Sequence, residues 1–215
     1  MTEKIKNVCE FYAITHKLKN TLRSGWQLWR VDADRFESVA EHIYGTQMLA
    51  LAINCEFDLG FDMAKIALML AIHEVGESII GDVPRTGSPY TKEQKQKMEM
   101  EAVTKILGGI CNSEKLMELF IEFEENNTRE ARFCNLIDRL ECGLQIKYYE
   151  EQGCVDFAKD RPQACKDKMQ PFIDEGITTL SGVWLTNYIR TIFGQDEVIK
   201  SIAQFAIENK IFETH

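Results

Sequence analysis

An all-α fold is predicted by three features of this 215-residue chain. Apolar residues recur at spacings of three and four nearly everywhere. Strand-like alternation of valine, threonine and isoleucine is almost absent. Only 4 prolines and 13 glycines punctuate the sequence, too few for the turns of a sheet protein. The length divided by 150 is about 1.4, so one domain is expected, with a helical core and additional helices after Gly153.

The elements follow in order. Ile5, Val8, Phe11 or Tyr12 and Leu18 make one stripe, and Ser24-Gly25 offers a stop, so the spacing predicts a first helix of about 20 residues. A polar, Trp-rich connection, WQLWRVDADRFE, comes next. Ser38-Val-Ala-Glu41 has capping-box spacing and should open a helix carrying Val39, Ile43, Ala50 and Ile53 on one face, with His42 in its first turns. Another helix starts near Asp62, places Ile66, Met69, Leu70 and His73 together, and loses its pattern near Gly76 to Gly81. Pro84, Gly87 and Pro89 predict a loop. Thr91-x-x-Gln94 repeats the capping-box spacing and opens a charged helix to about Leu107, closed by Gly108-Gly109. Helices are further expected over 113–125, 128–151, 163–175, 180–193 and 196–211.

Composition removes several classes of function. Hydrophobic residues at 45% and charged residues at 27% are ordinary for a folded soluble chain. Lys plus Arg is 25 against 34 for Asp plus Glu, a net charge of −9, and no basic cluster appears, so nucleic acid is not an expected partner. The longest unbroken apolar run, Ile66 to Ile72, is far short of the roughly 20 residues that cross a bilayer, so no membrane association is expected. The opening MTEKIKNVCEFY lacks a signal-peptide core, which predicts a cytoplasmic protein. The 7 cysteines form no C-x-x-C pair and read as reduced, mostly apolar thiols.

Of the four histidines, His42 and His73 lie inside expected helices beside the apolar stripe. Taken singly, each is explained as a hydrogen-bonded core histidine, and His16 and His215 have no chemistry around them. The surroundings of His73 are different. AIHEVGESIIGD sets Glu74 beside it, Glu77 one helical turn on and Asp82 just past the helix end. On a continuous helix His73 and Glu77 share a face. Three carboxylates near Ile72, Val75, Ile79 and Ile80 are costly to bury without a cation. Imidazole with carboxylate suits manganese, iron, cobalt, nickel or zinc, any of which acidifies a bound water. On spacing alone, a solvated acidic helix end explains Glu74 and Glu77 equally well.

Three segments, E-S-V-A-E-H42, A-I-H73-E74-V-G-E77-S-I-I-G-D82-V-P84 and L-I-D138-R-L-E-C-G-L-Q, together resemble the HD-domain metal-dependent phosphohydrolases. Within them the sequence is most similar to the 5′-deoxynucleotidases of the YfbR and HD-domain-containing 2 type, over about residues 23–151. The resemblance implies one divalent metal held by His42, His73, the carboxylate of Glu74 and Asp138. It also implies acid/base chemistry at Glu77 and an orienting role for Asp82. An upstream arginine and tryptophan, here Arg23 and Trp26, are implied to bind phosphate and shape the deoxyribose pocket, with Trp29 or Arg30 as alternatives if the loop register differs.

One position departs from the family pattern. His-Asp is here His73-Glu74, and the added methylene lengthens the arm by roughly 1.5 Å, large against metal-ligand tolerances of about 0.2 Å. The expectation is a metal-dependent phosphohydrolase releasing phosphate from deoxynucleoside 5′-monophosphates, acting as a homodimer. A deoxynucleoside triphosphate triphosphohydrolase, a non-catalytic nucleotide or metal sensor, and a helical interaction protein are the alternatives.

Overall fold

The computed structural model describes residues 1–213 and is all-helical, with no strand among the described residues. The helices are α1 (Thr2–Thr15), α2 (Ser24–Leu28), α3 (Val39–Glu56), α4 (Met63–Ile72), α5 (Glu77–Ile80), α6 (Lys92–Leu107), α7 (Glu114–Glu125), α8 (Arg129–Glu151), α9 (Gln163–Asp174), α10 (Leu180–Thr191) and α11 (Glu197–Glu208). Both capping boxes form. Ser38 accepts from the Glu41 amide while Glu41 accepts from the Ser38 amide at 2.8 Å, and Thr91 and Gln94 do the same at the head of α6. The first helix is shorter than its apolar pattern suggests: α1 stops at Thr15 and a 3₁₀ turn, His16–Lys19, replaces its last segment.

The chain divides into two compact units, one from Met1–Ser24 with Glu37–Asn135, the other from Gly25–Phe36 with the chain from Leu136 onward. In the first, α3 packs on α4, α4 on α7, and α6 on both α5 and α7. Its core encloses Ile66, Met69 and Leu70 of α4 and Val103 of α6 fully, with Phe120 and Phe123 of α7 also buried. No helix of the described residues is long and apolar enough to cross a membrane.

The second unit has a core of its own. Trp26, Trp29 and Val31, from the connection read as polar, join Ile146, Tyr149 and Leu180 in one apolar cluster. Arg161, only 3% exposed, holds that connection in place. It donates to the carbonyls of Trp29, Phe157 and Lys159 at 2.9 Å and of Asp156 at 2.8 Å, so a buried cation is satisfied by four carbonyl dipoles. Of the seven free cysteines, Cys134, Cys142 and Cys165 are buried, whereas Cys9, Cys55 and Cys111 are exposed.

Candidate active site

The site in the first unit is built where α4 ends. The helix stops at Ile72, three residues before its apolar pattern fades, and the chain continues as a tight turn into α5. Val75 bonds back to Ile72, Glu77 to Glu74, Ser78 to Val75 and Ile79 to Gly76, each three residues apart. That winding aligns residues i and i+3, so Glu74 stands in line with Glu77. The expected His73–Glu77 face of a continuous helix is therefore not what forms. Gly76 sits close under α6: a Cβ there would meet Val103 Cγ2 at 3.3 Å, a tight contact, and the Glu99 carbonyl at 3.4 Å, an ordinary one.

His73 caps α4 and is buried, and its Nδ1–H donates to the Leu70 carbonyl at 2.7 Å. A carbonyl only accepts, so Nδ1 carries a proton, and the neutral form of the ring with that proton has its lone pair on Nε2. Nε2 lies 4.0 Å from Glu74 Oε1. His42, with no exposure at all, faces it from the first turns of α3, the two rings 5.6 Å apart. His42, His73 and Glu74 each offer one ligand atom, and these atoms lie within 4.8 Å of one another. Two imidazoles and a carboxylate, one ring already oriented by a carbonyl, suit a first-row divalent ion.

Beside these ligand atoms lies a second set of charges. Glu74, Glu77 and Glu99 bring carboxylate oxygens within 4.8 Å of one another. Glu77 is 2% exposed, and its Oε2 accepts no hydrogen bond from the described residues. Burial, then the charges of Glu74 and Asp82, push its carboxyl well above the usual range, against the pull of Arg23 and Lys95. Lys95, on α6, bonds Glu99 at 3.1 Å. Burial works against its charge, yet Glu74, Glu99 and Glu77 outweigh that and raise its pKa. Arg23 Nη1 stands between Glu74 Oε1 at 3.6 Å and Asp82 Oδ1 at 3.4 Å.

A family profile described as HD domain matches residues 15–180. The chain belongs to the HD-domain family. Among its HD-domain relatives are 5′-deoxynucleotidase HDDC2 of Dictyostelium discoideum, 31% identical over 155 residues (69% of this chain, 80% of that protein), and 5′-deoxynucleotidase HDDC2 of Homo sapiens, 31% identical over 150 residues (68% and 70%). 5′-deoxynucleotidase hdd1 of Schizosaccharomyces pombe is 30% identical over 158 residues (69% and 75%). The fold is shared with a predicted metal-dependent phosphohydrolase from Magnetospirillum magnetotacticum, with a TM-score of 0.66 at 22% identity over 96% of this chain and 92% of that one.

Within this HD-domain chain the remaining expected residues fall as follows. Arg23, Glu74, Glu77 and Asp82 are neighbours in the first unit. Asp138 is in the second unit, on α8, 2% exposed and 3.1 Å from Arg139 Nη1. Trp26 is 2% exposed, stacked on Trp184 at 5.6 Å and edge-on to Tyr149 at 5.3 Å. Its ring is thus packed in the core of the second unit. Trp29 is likewise buried, edge-on to Trp184 at 5.2 Å, while Arg30 is exposed. His16 is exposed and packs edge-on to Tyr12, and His215 lies outside the described residues.

Lys95 and Glu99 escaped sequence reasoning because their i,i+4 spacing in a charged helix reads as a solvent-facing pair. In the sequence Ser24 offers only a helix stop. Its amide and hydroxyl both donate to Asp82 Oδ2, at 2.6 and 2.5 Å.

Proposed function

We propose that the chain is a metal-dependent phosphohydrolase that releases inorganic phosphate from deoxynucleoside 5′-monophosphates. The observation that carries this reading is the cluster of His42, His73 and Glu74 ligand atoms within 4.8 Å, with an arginine 3.6 Å from Glu74. The names of the HD-domain relatives support the substrate class. His42, His73 and Glu74 would hold the ion, with Asp138 as the fourth ligand, an assignment that rests on the resemblance of the L-I-D138-R-L segment. A manganese, cobalt, nickel, iron or zinc ion bound there supplies Lewis acidity toward a phosphate ester and makes water more acidic.

The chain's own groups do the rest. Arg23 draws the phosphate dianion despite the acidic composition, its guanidinium already placed by two carboxylates. Glu77, enclosed beside two other carboxylates, is suited to hold a proton at Oε2 and deliver it to the departing 5′ oxygen. Asp82 holds Arg23. Trp26, packed in the second unit, is assigned to the deoxyribose pocket on the resemblance of the segment around Arg23 and Trp26.

We infer a cytoplasmic homodimer that binds no nucleic acid. The acidic net charge of −9 supports the last point. Pairing is supported by α3, which carries no charged residue between Ile43 and Cys55 and exposes Tyr44, Met48 and Leu51.

The test is purified full-length protein, with manganese or cobalt added, assayed against the four deoxynucleoside 5′-monophosphates, AMP and dATP. Phosphate released from the deoxynucleoside monophosphates is the expected result. Tripolyphosphate released from dATP alone would turn the reading to a triphosphohydrolase. Tight binding without turnover would turn it to a sensor.

A further inference from the structure

We propose that Ser24 is a positioning residue that fixes the Asp82 carboxylate and, through it, the Arg23 guanidinium. The inference rests on the reading above that Arg23 receives the phosphate. Asp82 follows Gly81, whose φ of 76° ends α5, and its side chain is only 8% exposed. A carboxylate at such a place is free to rotate about its last torsion unless something holds it, because that torsion has a broad, two-fold profile. Ser24 supplies the hold. Its amide donates to Asp82 Oδ2 at 2.6 Å and its hydroxyl to the same oxygen at 2.5 Å. The Asp82 carbonyl lies farther from the hydroxyl, at 3.2 Å, and the hydroxyl has one proton, so the shorter partner takes it.

With Oδ2 engaged twice, Oδ1 is the oxygen left to face Arg23 Nη1 at 3.4 Å. Arg23 is fixed from behind as well, since its amide donates to the Glu37 carbonyl at 2.9 Å. The main chain and the Ser24–Asp82 clamp therefore fix both ends of the Arg23 side chain. Losing the hydroxyl leaves the amide bond in place but lets the carboxylate turn, and Arg23 Nη1 then follows Glu74 Oε1, its other acidic neighbour at 3.6 Å. A guanidinium drawn toward Glu74 is displaced from where a phosphate would meet it.

The experiment is Ser24→Ala in the full-length enzyme, read by kinetics on dAMP with manganese and by a crystal structure. We expect KM to rise about tenfold, the scale of one charge-assisted hydrogen bond, with kcat within about twofold, because a contact made equally in ground and transition states changes KM alone. Ser24→Thr keeps the hydroxyl and should recover most of the loss. In an Arg23→Ala background the added Ser24→Ala change should cost less than about twofold, as expected of residues acting in series. A merely structural role would lower the melting temperature and leave KM unmoved. An unchanged KM, a full tenfold effect persisting without Arg23, or a variant crystal structure with Asp82 and Arg23 undisturbed would each overturn the proposal. If the wild type hydrolyses no deoxynucleotide, the functional reading fails instead, and the crystal structure of Ser24→Ala still decides whether Ser24 sets the Asp82–Arg23 geometry.

Discussion

Glu74 is where this chain departs from the His-Asp pattern it otherwise resembles, and replacing it by aspartate tests what the longer side chain does. In the structure Glu74 Oε1 is 3.6 Å from Arg23 Nη1 and 4.0 Å from His73 Nε2, so one oxygen is shared between a cation and a ligand atom. Removing a methylene draws the carboxylate back by roughly 1.5 Å and lengthens the Arg23 contact to about 5.1 Å. At an effective dielectric near 20, Coulomb's law gives about 4.6 kcal/mol at the shorter separation and about 3.3 kcal/mol at the longer. The difference, about 1.3 kcal/mol, is close to one decade in an equilibrium constant. Arg23 thus competes less for the carboxylate of Glu74→Asp, and manganese or cobalt affinity by isothermal titration should be preserved or rise by up to about tenfold. His73→Ala and Asp138→Ala should abolish binding. A Glu74→Asp protein that binds the ion ten times more weakly than wild type would refute the competition reasoning, and equal metal content in all three variants would refute the ligand assignment.

Two further predictions concern stability. A Cβ on Gly143 would lie 2.3 Å from Leu185 Cδ2 and 3.2 Å from its Cγ, so Leu185, which is fully buried, must shift to admit it. Gly143→Ala should therefore cost about 1–3 kcal/mol, a melting-temperature drop of several degrees by calorimetry, and an unchanged transition would show that α8 and α10 can part there. Glu124 is lifted to about 7 by burial first and then by the charges of Glu99 and Glu74. The folded protein holds a proton that the unfolded chain releases near the ordinary 4.5, so Glu124 makes stability fall as pH rises from about 4.5 through 7. With chelator present to exclude bound metal, Glu124→Gln should match wild type near pH 4 and exceed it by about 1–2 kcal/mol at pH 8, after discounting for partial solvent access. A glutamine variant less stable than wild type at pH 8 would contradict that sign.

The parts of the fold legible from sequence are those fixed by neighbours a few residues away. Ser38 with Glu41 and Thr91 with Gln94 cap their helices because capping needs only the local backbone, and Thr179 and Asp196 cap α10 and α11 near their expected starts for the same reason. What could not be read depends on partners distant in sequence. Trp26 as a lid and Trp26 as core have the same local pattern, and only Tyr149 and Trp184 decide between them. Lys95 and Glu99 have the spacing of a solvent-facing pair, and their burial comes from the approach of the Glu74–Glu77 turn to α6. Motif resemblance singles out His42, His73, Glu74, Glu77, Asp82 and Arg23 but is silent on Ser24, since a serine before a glycine looks like any helix boundary.

The turn at 73–77 also bears on why a glutamate is tolerated at 74. A continuous helix would set Glu77 under His73, but three-residue bonding sets it in line with Glu74. Glu74 then belongs to two groups at once, one with His42 and His73, the other with Glu77 and Glu99, each spanning no more than 4.8 Å. A carboxylate serving both must reach from one to the other, and the added methylene supplies that reach. Two ligands of a single ion, each about 2.1 Å from it, are at most about 4.2 Å apart, and the first group, with no pair beyond 4.8 Å and His73 Nε2 already 4.0 Å from Glu74 Oε1, needs a contraction of at most about 0.6 Å to close around an ion. Glutamate can make that movement by rotation about its side-chain torsions. On this reasoning Glu74→Asp shortens the arm that reaches the acidic group while weakening the competition from Arg23, so its turnover should suffer more than its metal affinity.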